Sequence, residues 1–186
     1  MKSDREKWDR RYSKEISDSL SPDPLLLEFR GLFSSGRALD LACGLGSTSV
    51  FLARCGYWVD AFDTSLVALQ NLMKRSTREN LSIGVAVVDL DYYPLPTNTY
   101  DVVTVFYFFS QNLLTSIMAA LKPGGILVYS TFNYHHVNER PDFCRDYLVP
   151  LGGMGHFFPD LEVIADRESS GENPAISQFI GTNSGR

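Results

Sequence analysis

Apolar positions along the chain follow two rhythms, and their alternation predicts an architecture. Largely unbroken apolar runs at 38–42, 57–62, 83–88, 101–107 and 126–131 read as strands buried on both faces. Between them, apolar residues fall at helical spacing. One helix is predicted over 47–55 and closed by Gly56, and a second is capped by Thr64 or Ser65 and runs to about Arg75. A third covers 110–121, where Lys122-Pro123-Gly124-Gly125 stops it and turns into the next strand. Asp91–Thr99, which holds Pro94 and Pro96, reads as a loop.

The flanks follow different patterns. Residues 3–13 are charged and helix-compatible, Ser17–Pro24 is a loop, and Pro24 opens a short apolar helix ending near Gly31. After residue 132 the chain is irregular to Pro150 and breaks again at Gly152-Gly153. Two strand-like runs follow, 161–166 and 175–180, joined by a Gly171–Pro174 turn short enough for an antiparallel hairpin. The order β-α-β-α-β-loop-β-α-β predicts an α/β, Rossmann-like doubly wound sheet. Seven strands are expected, mostly parallel, with the C-terminal hairpin antiparallel.

Composition narrows the function. The 186 residues suffice for one domain with a full core, and 44% of them are hydrophobic, which excludes a disordered chain. A net charge of −5 and no basic run argue against a nucleic-acid partner held through its phosphates. Cys43, Cys55 and Cys144 are odd in number and lack metal-ligand spacing, so no metal site is expected and a reducing compartment is. The charged N-terminus offers no signal peptide or membrane span. The expectation is a soluble, cytoplasmic protein, monomer or homodimer, acting on small molecules.

The richest stretch is 37–63, R-A-L-D-L-A-C-G-L-G-S-T-S-V-F-L-A-R-C-G-Y-W-V-D-A-F-D. It reads as a strand ending at Asp40, a loop carrying Gly44 and Gly46, a helix, and a strand ending at Asp63. Such a unit holds a nucleoside-bearing cofactor: the glycines admit a close approach, and the terminal acid accepts hydrogen bonds from ribose hydroxyls. Ser49 stands where a dinucleotide fingerprint has its third glycine. Asp40 would repel a pyrophosphate and suits a cationic or zwitterionic end such as a methionine ammonium. The acid-x-Gly-x-Gly-x-Gly pattern resembles motif I of class I S-adenosylmethionine-dependent methyltransferases. This chain matches it at Asp40, Gly44 and Gly46 and departs from it at Ala42, in place of the first glycine.

Further residues extend the resemblance. Lys122–Leu127, K-P-G-G-I-L, resembles the turn before the fifth strand of these enzymes, and T-Y-D-V-V matches their F-D-x-V pattern, giving Asp101 a structural role. Trp8-Asp9-Arg10-Arg11-Tyr12 resembles the N-terminal helix of small-molecule methyltransferases of the tellurite-resistance and thiopurine type, as does the later N-x-x-P-D-F with L-x-P-L-G. The resemblance implies three regions in one domain: a helical cap (1–33), a cofactor-binding core (37–132), and a substrate-side insertion with the final hairpin (133–182). The implied cofactor is S-adenosyl-L-methionine. Asp40, Ala42, Cys43, Gly44 and Gly46 form its loop, and Asp63 with Thr64 meets the ribose. Asp89 and Leu90 meet the adenine, and Arg11 and Phe106 the methionine end.

Methyl transfer needs near-attack geometry more than a shared catalytic motif. A base is required only when the acceptor arrives protonated. The insertion holds Tyr134, His135, His136, Arg140, Arg145 and Tyr147, from which His135 or His136 is a candidate base, with Tyr107 at a strand end as a third. Adjacent histidines point in different directions, so at most one is expected to face the acceptor. Arg140 or Arg145 could hold an anionic acceptor. The alternatives are a non-enzymatic methyltransferase-fold binding module, a protein methyltransferase and, opposed by Ser49 and Asp40, a nicotinamide-dependent oxidoreductase.

Overall fold

The computed structural model describes residues 2–14, 21–168 and 173–185, with the side chains of 2–4 left aside. The Ser17–Pro24 loop and the Gly171–Pro174 turn therefore fall partly outside the described residues. Contacts cluster into two compact units, 1–94 and 95–186. Seven strands run in the order β3-β2-β1-β4-β5-β7-β6.

In the first unit, α1 (Lys2–Tyr12) and α2 (Pro24–Glu28) precede β1 (Gly36–Leu41), α3 (Ser47–Arg54), β2 (Tyr57–Asp63), α4 (Leu66–Glu79) and β3 (Ile83–Val87). Asp23 caps α2 by accepting from the Leu25 N–H, with Pro24 just inside the first turn. Strands β1, β2 and β3 pair in parallel, as crossover helices require. Ser65 caps α4 through the Ala68 N–H, and Leu69, Leu72 and Ser76 form its buried stripe. Leu72 packs with Val50 and Ala61 against Cys43, Leu81, Ile83 and Val85.

In the second unit, β4 (Tyr100–Phe106), α5 (Leu114–Ala120) and β5 (Leu121–Phe132) precede β6 (Leu161–Arg167) and β7 (Ile176–Asn183). Strand β4 is parallel to β5, while β7 runs antiparallel to both β5 and β6, the expected hairpin. Tyr129, Phe158 and Phe179 stack through this core, with ring centroids 6.0 and 5.1 Å apart.

Two boundaries differ from expectation. The helix expected over 110–121 is a 3-10 turn (Gln111–Leu113) followed by α5, and Ser110 is extended rather than helical. Extended structure also begins at Leu121, so Lys122-Pro123-Gly124-Gly125 belongs to β5 as an irregular entry. Pro123 forces this, because a residue before proline is driven out of the helical region. Lys122 then reaches Asp101 with Nζ–O distances of 2.9 and 3.1 Å, consistent with a structural Asp101. Among the described residues no helix is long and apolar enough to cross a membrane.

Candidate cofactor and acceptor sites

The glycine loop leaves β1 through Ala42, which adopts φ +53°. That left-handed conformation costs a residue with a Cβ about 1–2 kcal/mol, so alanine here is strained where glycine would not be. Gly44 and Gly46 follow at φ +52° and +80°. A Cβ on Gly46 would fall 2.4 Å from Leu72 of α4, and one on Gly44 would fall 2.8 Å from the Tyr12 hydroxyl of α1. Gly46 is therefore required for packing as well as for turning, while at Gly44 the left-handed φ is what favours glycine.

Two acids frame the loop. Asp63, at the end of β2, accepts the Gly44 N–H at 2.8 Å on one oxygen and the Ser65 N–H at 2.8 Å on the other, with the Thr64 N–H adding a third bond. A carboxylate has about four lone-pair positions, so binding ribose hydroxyls means exchanging backbone donors for them. Burial pushes the Asp63 pKa up, the three backbone N–H groups oppose the rise, and the negative charge of Asp9 adds to it. Asp40 is buried and accepts the Ser49 hydroxyl at 2.5 Å. The residue that replaces the third glycine thus ties helix α3 to the loop's first acid.

Cys43 donates its N–H to Phe62 O and packs its side chain on the Val50–Ala61–Leu72 cluster. Burial, then the charges of Asp40 and Asp63, push its thiol well above the ordinary cysteine range. It remains a neutral thiol at physiological pH, which removes it as a nucleophile. Asp89 and Leu90 adjoin the same end of the sheet, where Val88 donates to Asp63 O at 3.0 Å. The Asp89 carboxylate accepts from Asp91 N.

Helix α1 supplies contacts that the sequence reading missed. Asp9 Oδ1 accepts the Ser65 hydroxyl at 2.5 Å and the Val67 N–H at 3.3 Å, which anchors α1 on the first turn of α4 beside Asp63. Tyr12 stacks on Trp8 at 5.6 Å, and the Arg11 guanidinium lies 5.2 Å over the same indole. The W-D-R-R-Y string drew attention to this helix, but to Arg11 rather than to Asp9 and Tyr12.

The loop 42–46 and Asp63 thus meet within the first unit, and the Val88 N–H brings the chain just before Asp89 to Asp63 O, whereas Arg11 is exposed and lies over Trp8. Phe106, Tyr107, His135 and His136 belong to the second unit. Tyr107 follows β4 at φ +56° and is half exposed. His135 is exposed, whereas His136 is buried, stacked on Phe132 at 4.1 Å and edge-on to Phe143 at 4.9 Å. Tyr134, Arg140, Arg145 and Tyr147 are exposed, and Arg140 lies 3.7 Å from Asp142. Among the described residues no cluster of potential metal ligands exists.

The loop's chemistry discriminates between cofactors. Asp63 suits a ligand with vicinal hydroxyls, while the buried Asp40 suits a positive charge and opposes a pyrophosphate. The residues present therefore fit S-adenosylmethionine.

A family model described as a methyltransferase domain matches residues 38–125. Over that stretch the chain is similar to S-adenosylmethionine-dependent methyltransferases. It is 28% identical over 161 residues to the demethylmenaquinone methyltransferase of Renibacterium salmoninarum, covering 84% of this chain and 62% of that protein. It is 31% identical over 94 residues to the probable S-adenosyl-L-methionine-dependent methyltransferase TehB of Haemophilus influenzae, covering 49% of this chain and 32% of that protein. The chain thus spans less than two thirds of the length of either relative. The crystal structure of Haemophilus influenzae TehB shares the fold, with a TM-score of 0.75 at 15% identity over 95% of this chain and 67% of that one.

Proposed function

We propose that the protein transfers a methyl group from S-adenosylmethionine to a small-molecule acceptor. The observation that carries this reading is the glycine loop framed by the buried acids Asp40 and Asp63. When bound, the cofactor supplies a methyl carbon already activated by sulfonium. The chain's own residues bind and orient. Gly44 and Gly46 present backbone without Cβ atoms, Asp63 accepts from the ribose, and Asp40 offers negative charge toward the methionine end. Asp89 and Leu90 are assigned to the adenine, and Arg11 to the methionine carboxylate by a charge-assisted pair. Phe106 is assigned to the methionine end by the resemblance.

A small acceptor is supported by the acidic balance of the chain and by a relative named for demethylmenaquinone. The test is incubation with S-adenosylmethionine labelled in its methyl group, against extracted small metabolites and against whole protein. Label moving into the small-molecule fraction, and not with Asp40→Ala, is the expected result. Label only in protein would replace the small acceptor with a protein substrate. Cofactor binding without any transfer would leave a non-enzymatic binding module.

A further inference from the structure

Helix α1 brings a second carboxylate toward the acid that ends β2. Ser65, fully buried at the start of α4, joins the two. Its backbone N–H donates to Asp63 Oδ1 at 2.8 Å, and its hydroxyl donates to Asp9 Oδ1 at 2.5 Å. The Ser65 Oγ also accepts the Ala68 N–H at 3.2 Å, so the hydroxyl is held from both sides. Asp9 Oδ1 accepts the Val67 N–H at 3.3 Å. The first turn of α4 is therefore capped twice, by Ser65 on Ala68 and by Asp9 on Val67. A neutral asparagine or serine oxygen would serve for the second cap. The carboxylate of Asp9 thus contributes something the cap does not need, a charge beside Asp63.

That charge is only partly offset by its surroundings. Burial is the first cause that pushes the Asp63 pKa up, and the charge of Asp9 adds to the rise against three backbone N–H donors. The glycine loop brings Cys43, a neutral thiol, and β1 brings Asp40, a further acid bound to Ser49. Tyr12 of α1 sets its phenol on Gly44, and beyond β3 Asp89 accepts the Asp91 N–H. The first turn of α4, residues 66–69, has no titratable side chain. On α1 itself Arg5 lies 3.8 Å from Asp9 Oδ2, and Arg11 is exposed over Trp8. Arg5 is half exposed, so solvent screens that pair and leaves Asp9 acting on Asp63.

We propose that Asp9 is a positioning residue for the ribose acid: through Ser65 it fixes the aim of Asp63, and its charge sets how far the pH must fall before the site releases its cofactor. This inference rests on the methyltransferase reading and adds a control on the same site. Ionised Asp63 accepts from ribose hydroxyls by charge-assisted bonds. Protonation turns one of its oxygens into a donor and removes an acceptor from the hydroxyl pair. A carboxylate held nearby favours that protonation, so a seated α1 makes cofactor release sensitive to acid. The anchoring of α1 and the charge of Asp9 are separable, because the hydrogen bonds to Ser65 and Val67 need only an oxygen acceptor.

The test is calorimetric titration of the full chain with S-adenosylhomocysteine across about pH 4.5 to 8, in wild type and Asp9→Asn. Asparagine keeps the side-chain oxygen and removes the charge. Wild-type affinity is expected to fall about tenfold or more as the pH drops through the titration of Asp63. In Asp9→Asn the fall is expected at lower pH, so on the acid limb the variant binds about threefold or more tighter than wild type. Asp9→Ser, which also removes the charge and keeps an oxygen, is expected to show the same shift and replaces the asparagine variant if that does not fold. A residue that only anchors α1 would give the opposite sign, weaker binding by the variants at every pH. That result, superimposable profiles, or a wild-type affinity that does not fall across the range would overturn the inference. The methyltransferase reading would then still stand on the binding of S-adenosylhomocysteine. No binding by folded wild type at any pH would remove both.

Discussion

At the residue scale, the glycine loop is governed by Asp63. Its carboxylate closes the loop by accepting from Gly44 and Ser65, yet burial raises its pKa above the usual carboxylate value. In the unfolded chain the same group titrates near about 3.9. Between that value and the raised one the native state binds more protons, so stability falls as pH rises through the window and then levels off. Urea denaturation from pH 4 upward is expected to show this decline in wild type and not in Asp63→Asn. Parallel curves would remove Asp63 as the source. The sequence displayed this acid and both glycines because each must occupy a fixed position on a strand end or turn. It did not display the bond from Ser49 to Asp40, which exists only once α3 is laid beside β1. Nor did it show that Ala42 bears a left-handed backbone, since alanine at that position reads as a mild replacement until its φ is known.

At the element scale, the strands were legible because their apolar runs are long and their stops are proline, glycine or aspartate. The start of α5 was not, because Ser110 is a good cap in sequence and an extended residue in the fold. The seating of α1 was also hidden, since Asp9 reaches Ser65 across 56 residues of chain. That contact fastens a charged helix that has little apolar surface of its own to bury. Asp9→Ala is expected to destabilise the protein by about 1 kcal/mol, the usual value of a lost helix-capping side chain. It should also raise amide hydrogen exchange over residues 5–12 in advance of the rest of the first unit. Unchanged protection there would show that α1 is held by Tyr12 and Trp8 without the aspartate. With α1 released, Tyr12 no longer covers Gly44, so the same variant is expected to release bound cofactor faster.

At the scale of the whole molecule, the strand order β3-β2-β1-β4-β5-β7-β6, with β7 antiparallel beside β5, follows from parallel crossovers through β5 and a final hairpin. Periodicity and turn residues anticipated the mostly parallel sheet and its final antiparallel hairpin, but not the order in which β7 lies between β5 and β6. The acceptor side was less legible, because methyl transfer asks for positioning rather than a fixed motif and because His135 and His136 are indistinguishable until one of them is buried. The central claim is that the acid-framed glycine loop binds S-adenosylmethionine and not a dinucleotide. Calorimetric titration of the purified protein with S-adenosylmethionine and, separately, with NAD tests it most directly, with Asp63→Ala as the control. The account predicts micromolar binding of S-adenosylmethionine alone, abolished in a folded Asp63→Ala protein. Binding of NAD, or no binding of S-adenosylmethionine by well-folded wild type, would contradict it.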